Sequence, residues 1–355
     1  MISTPRKLPL RTGAGWREVE PRTTEWRIAW EGSSRIFLSD TNFKNPLDAG
    51  SAGGVDSPLA YNESLNRLFR YYCPALGNRD RENGILGIDP VSGKREMQCQ
   101  LHPLRMVPWM LQTVPEKSLL VGLVVTDASQ NDRPGIVLQH QIGLFHLAQN
   151  KSLLRQLPDG CLHPVASSPQ SDRLLFHGPD GFQLVNLKGH RKLLLSDPAW
   201  GDGRSGAAFH PANHTFVIGG PSLTLYNPAT RDRTTIAKGG CFPVWTQDGD
   251  TLFHALDSAS LSAANCKDGE NYDIVSIPGN RHPERKKARP VELSPDQRFF
   301  ALPLTRRAPY HAKTVVQDQP AWTEHQTLII GDLEKRELWQ YPGPIHQCAW
   351  VGRSM

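Results

Sequence analysis

Seven side chains recur at one offset along the chain. Ser57, Trp109, His163, Ser205, Cys241, Arg289 and His346 each stand four residues before a repeating anchor position. Three of them, His163, Cys241 and His346, are of the types that ligate zinc. A pair of histidines could also serve as general acid and base. The candidates weighed there among carboxylates and amides are Glu292 and Asn62, too few to hold a catalytic divalent ion in charge balance. No G-x-S-x-G elbow accompanies them. Cys161 and Cys348, flanked by Leu162 and by Ala349-Trp350, read as small core residues. The expectation is therefore no catalytic residue, no metal and no cofactor. The channel-mouth set His163, Cys241, His346 and Arg289 forms the alternative, a hydrolase or lyase.

Recognition chemistry is better represented. One long insertion, about residues 303–325, carries Arg306, Arg307, Tyr310, His311, Lys313 and Trp322. Arg, Tyr and Trp dominate interface hot spots because they join a large apolar area to directional donors. Arg79, Arg81 and Arg133 lie in two further insertions, and together with Arg306, Arg307, Tyr310, Lys313 and Trp322 they are the expected contacts to a protein partner. The densest positive run, Arg281 to Arg289, reads as a solvated outermost strand whose charge discourages edge-to-edge pairing. Its alternative is a nucleic-acid contact, but neither a glycine-rich phosphate cradle nor interleaved aromatics accompany it. The Asp/Asn-rich stretch from Asp127 to Asp132 lacks the spacing of a calcium loop.

The elements that must position these residues follow from a repeated phrase. In PVWTQDGDTLF, Pro243 to Phe253, an apolar run meets a polar Asp-Gly turn and apolar residues resume, the pattern of a β-hairpin. The phrase returns in SPLAYNESLNRLF, VASSPQSDRLLF, GAAFHPANHTFV and VELSPDQRFF, more weakly in MLQTVPEKSLL, and opens once more in HQCAWVGRSM. Its anchors are Tyr61, Thr113, Ser167, Phe209, Trp245, Leu293 and Trp350. A second strand–turn–strand follows each complete copy, as in LTLYNPATRDRTTIA and TLIIGDLEKRELWQY. Four strands per unit, repeated, predict an all-β, seven-bladed β-propeller. The last blade would be closed by the C-terminal strand together with N-terminal strands drawn from WREVE, EWRIAW and RIFLSD; a six-bladed ring is the alternative. Residues 1–56 then form the N-terminal segment, ending in a Gly-rich connector, and residues 57–355 the propeller. Insertions are expected between second and third strands, after Tyr71, Val125, Leu256 and Leu302.

Units such as LSPDQRFFALPL with TLIIGDLEKRELWQY resemble the WD40-like and TolB-like (PD40) propeller repeats over roughly residues 57–355. The Gly-His and Trp-Asp dipeptides of true WD40 blades are missing, so the resemblance implies the fold and no functional residues. A net charge of +5 over 355 residues is ordinary solubility charge rather than a nucleic-acid footprint. No secretory signal and no membrane-length apolar run is apparent, and six dispersed cysteines suit reduced thiols, so a cytoplasmic protein is expected. These readings converge on a non-catalytic scaffold that mediates protein–protein interaction within a larger assembly.

Overall fold

A computed structural model describes residues 7–53, 57–73, 83–101, 105–114, 119–127, 138–149, 151–156, 163–168, 173–179, 181–186, 188, 190–195, 205–278, 289–310 and 321–353. Five short strands open the chain: β1 (Arg11–Thr12), β2 (Arg17–Glu18), β3 (Trp26–Gly32), β4 (Arg35–Asp40) and β5 (Leu47–Ser51). Four-strand meanders follow. The first holds β6 (Ala60–Asn62), β7 (Arg67–Tyr72), β8 (Gly84–Ile88) and β9 (Arg95–Gln100), and the second β10 (Arg105–Val114), β11 (Leu119–Asp127), β12 (Leu138–His146) and β13 (Lys151–Gln156). The third has β14 (His163–Ser167), β15 (Arg173–Gly178), β16 (Gly181–Asn186) and β17 (Arg191–Leu195). The fourth has β18 (Ala207–Phe209), β19 (Phe216–Ile218), β20 (Leu223–Tyr226) and β21 (Arg233–Ala237). In the fifth are β22 (Cys241–Trp245), β23 (Thr251–Ala255), β24 (Ser260–Asn265) and β25 (Asn271–Ser276). The sixth comprises β26 (Glu292–Leu293), β27 (Phe299–Tyr310), β28 (Ala321–Asp332) and β29 (Glu337–Pro342), and β30 (Ile345–Arg353) closes the chain.

The fold is an all-β propeller. Hydrogen bonding separates the strands into seven sheets, each defined by its bonded neighbours, while the blades number six, the alternative that the sequence allowed. Every anchor residue lies on the terminal strand of its meander: Tyr61 on β6, Thr113 on β10, Ser167 on β14, Phe209 on β18, Trp245 on β22, Leu293 on β26 and Trp350 on β30. The seventh sheet has the order β30-β3-β4-β5, so both chain ends build it. EWRIAW and RIFLSD supply its second and third strands as expected.

Three expectations need correction. WREVE does not join that sheet: β2 pairs in parallel with β29, and β1 pairs antiparallel with β25, so each adds a fifth strand to an outer edge. Burial of Trp16 against Phe300 (5.8 Å between ring centroids) holds this segment in place. The supposed Gly-rich connector contains β5, the fourth strand of the sheet built by the chain ends. Finally, SLSAAN is not an insertion after Leu256 but β24, which shifts the outermost meander strand of its sheet to β25. Arg281 to Lys287 and Ala288 lie outside the described residues, and Arg289 precedes β26 rather than ending an outer strand.

The chain divides into two compact units, Met1–Arg22 with Ala199–His346 and Thr23–Pro198 with Gln347–Met355. The first has a core in which Leu8 and Trp16 pack with Phe253, Leu261, Phe300 and Ile329. Trp245 seals a second cluster with Val217, Leu223 and Leu252, and its indole N–H points to the Ala208 carbonyl at 3.4 Å. At the adjoining bend, Gly249 has φ +76° and carries the His210 ring above it, where a β-carbon would lie 2.3 Å from the ring. Glycine is thus required there on two grounds. In the second unit, Ile36, Leu38, Leu68, Leu86, Ile88 and Val351 form a core that ties the sheet of the chain ends to the first meander. Arg70, fully buried, donates to Glu31 (2.6 Å) and to the carbonyls of Ala52 (2.7 Å) and Ser57 (2.8 Å).

Candidate functional site: the β27–β28 arm

Most strands here are three to six residues long, but β27 and β28 each have twelve. They pair without interruption from Phe299↔Asp332 to Tyr310↔Ala321. Support from the rest of their sheet covers only one end. β26 pairs with Phe300 and Ala301, and β29 pairs with residues 327–332. Beyond Thr305 and Gln326 the hairpin continues as a two-stranded arm. The sequence explains the inner half: Phe300, Leu302 and Leu304 alternate into the core with Ile329 opposite Leu302. The outer half has Arg306 and Arg307 and no such apolar alternation.

Two fasteners fix the base of the arm. The Thr305 N–H donates to the Ser258 carbonyl (2.8 Å), and the Ser258 hydroxyl reaches the Thr305 carbonyl (3.4 Å). On the other strand, the Gly343 N–H donates to the Gln326 carbonyl (3.2 Å), and the Gln326 side-chain amide meets His346 Nδ1 at 3.4 Å. An Asx turn shapes the Ser258 loop, in which the Ala259 N–H donates to the Asp257 carboxylate at 2.7 Å. Arg306 is half-buried, and its Nε is shut off from solvent with no acceptor among the described residues. Across the arm from Arg306 stands the exposed His325.

Of the expected partner contacts, the structure gathers four on this one element: Arg306, Arg307 opposite Glu324, Tyr310 opposite Ala321, and Trp322 opposite Pro309. Lys313, Arg79, Arg81 and Arg133 lie outside the described residues, as does His311. The second insertion likewise continues as a paired hairpin, with β11 and β12 in register from Leu119↔His146 to Asp127↔Leu138.

The channel-mouth set is dispersed in chemical role. Cys241 opens β22 fully buried, its thiol donating to the Ala255 carbonyl at 3.2 Å. His346 is exposed on β30 and engaged with Gln326. His163 opens β14 opposite His177, within the other unit. Among the described residues no group of three His, Cys, Asp or Glu could hold a metal ion. Glu292, on β26, has a carboxyl that burial pushes up to about 8. Cys348 is buried, as its neighbours implied.

Two buried polar groups escaped the sequence reading. His254 on β23 is 3% exposed, and neither ring nitrogen has a hydrogen-bond partner; burial lowers its pKa, with Asp273 acting in the opposite direction. Arg70 and Glu31 form the buried ion pair described above. Glu31 carried no signal beyond its place in an apolar run, WRIAWEG, and Arg70 sat likewise in RLFRYY.

Comparison with known proteins adds the following. No family model matches the chain, and no curated protein matches it in sequence. Among solved structures, oligogalacturonate lyase in complex with manganese is similar with a TM-score of 0.57 at 12% identity, over 90% of this chain and 97% of that one. Dihydro-heme d1 dehydrogenase NirN in complex with DHE gives 0.52 at 13%, over 95% and 68%. TolB from Acinetobacter baumannii gives 0.48 at 11%, over 94% and 68%. The likeness is one of fold. The propeller resemblance carried by the repeated hairpins holds at that level.

Proposed function

We propose that the chain is a non-catalytic propeller scaffold that holds a protein partner through the β27–β28 arm. One observation carries this reading: a hairpin paired over twelve residues per strand, of which the outer part has no third strand among the described residues. A two-stranded ribbon alone is marginally stable in water, and its free edges are a template for another chain. Fasteners at Thr305 and Gln326 aim the arm from a rigid base, which lowers the cost of ordering it on binding. The arm also concentrates Arg306, Arg307, Tyr310 and Trp322, the residue types that anchor interfaces.

The test replaces residues 308–323 by an Asn-Gly turn and compares the proteins retained by wild type and variant. Selective loss of a retained protein, with an unchanged urea midpoint, is the expected result. An identical retained set at equal yield overturns the reading.

A further inference from the structure

Register at the arm's base places two donor groups side by side. At the pair Thr305 and Gln326, the Thr305 N–H and the Gln326 carbonyl both point away from the hairpin, to Ser258 and Gly343. By the alternation of an antiparallel ladder, the next pair, Arg306 and His325, is hydrogen-bonded to each other, with α-carbons about 5.5 Å apart and side chains on one face. That face runs on into the buried Leu302, Leu304 and Ile329. Arg306 is thus a cation lying partly against an apolar surface, and its Nε is enclosed without an acceptor among the described residues.

A buried donor left unanswered is costly, more so when charged, so native structures seldom keep one without a purpose. Among the described residues no ion pair answers Arg306, although nine other arginine and lysine side chains find carboxylates within 4.0 Å. Asp257, in the Ser258 loop at the base, accepts the Ala259 N–H. Glu324 stands opposite Arg307 in the register.

We propose that Arg306 and His325 form an anion-binding notch that receives a carboxylate side chain of an acidic protein segment. The guanidinium fork matches a carboxylate in two-point geometry, and the His325 imidazole supplies a further donor from the opposite strand. The proposal rests on the arm as partner site and names the chemistry of what it grips. A carboxylate is favoured over a polyanionic nucleic-acid backbone because the notch holds one guanidinium and one imidazole rather than a basic stripe.

Fluorescence anisotropy of the full-length protein with a labelled Glu-rich peptide, its Gln counterpart and a phosphoserine peptide tests it at low salt. The Glu peptide should bind at least tenfold more tightly than the Gln peptide. Arg306→Gln and His325→Ala should each weaken it several-fold or more, while Lys238→Gln, an exposed lysine elsewhere, leaves it unchanged. Equal binding of Glu and Gln peptides, or an Arg306→Gln variant that binds like wild type, overturns the notch. So does a phosphoserine peptide that binds tenfold tighter than the Glu peptide, which reassigns the site to phosphate. Should the arm replacement lose its retained protein while Arg306→Gln keeps it, the notch fails and the arm reading stands.

Discussion

Arg70 has no contact with solvent, so its charge is tolerable only because Glu31 and two backbone carbonyls meet it inside the second unit. The pair joins β7 to β3, two strands of different sheets. Arg70→Met takes the counter-charge away from the buried Glu31, at a cost of about 3–5 kcal/mol. The double variant Glu31→Leu with Arg70→Met should recover most of this loss, because an apolar pair of similar volume avoids desolvating two charges. Urea unfolding of the three proteins measures it, and a double variant no better than Arg70→Met sinks the argument. In the first unit, His254 and Glu292 impose opposite dependences on pH. His254 has a folded pKa lowered from 6.5 by burial, so below 6.5 the unfolded chain takes a proton that the folded one resists, and stability falls as pH drops. Glu292 keeps its proton up to about 8 when folded, against 4.5 in the reference state. Its contribution is therefore present at low pH and lost as pH rises from 4.5 through 8. His254→Leu should flatten only the acid limb of midpoint against pH, and Glu292→Gln only the alkaline limb.

Among the elements, the N-terminal segment is the least expected. Its strands are two residues each, yet they cover the outer edges of two sheets. An open sheet edge invites pairing with other chains, and β1 and β2 remove that opportunity at β25 and β29. The cover is fixed by side chains rather than by its few ladder bonds. Gln340 grips Leu8 at both backbone groups, accepting its N–H (2.9 Å) and donating to its carbonyl (2.8 Å), and also reaches Glu18 (2.8 Å). Arg17 and Arg22 meet Glu337, and Arg22 also meets Asp332, where Arg298 arrives from β26–β27. Trp16 supplies the apolar anchor. Trp16→Ala should cost about 3–5 kcal/mol and raise amide exchange along β29 before the rest of the sheet opens. Exchange at β29 unchanged by the substitution would show that the segment covers the edge without holding it.

For the whole molecule, the propeller was legible because its signal repeats. A hairpin with an apolar anchor and a Gly/Asp/Asn turn is weak evidence once, but successive copies at blade spacing leave few other architectures. What escaped reading lacked either length or side-chain bulk. β24 reads SLSAAN, its Ala263 and Ala264 are fully buried, and no β-branched or aromatic residue marks it as a strand. β5, LDAGS, looks like a linker for the same reason. β1 and β2 are too short to show any alternation. The Arg, Tyr and Trp of the long insertion were legible as composition, but the paired form of the β27–β28 arm was not, since pairing over twelve residues depends on register rather than composition. The position of the N-terminal segment also sets an order of events during synthesis. Leu8 and Gln340 are 332 residues apart, and β3 pairs with β30 at the far end of the chain. At ribosomal speeds of about 5–20 residues per second, these segments wait on the order of tens of seconds for their partners. During that interval they lack their partners in a crowded cell, so a chaperone that shelters Leu8 to Asp40 on the nascent chain would raise the yield of this protein more than one acting once Gln340 has emerged.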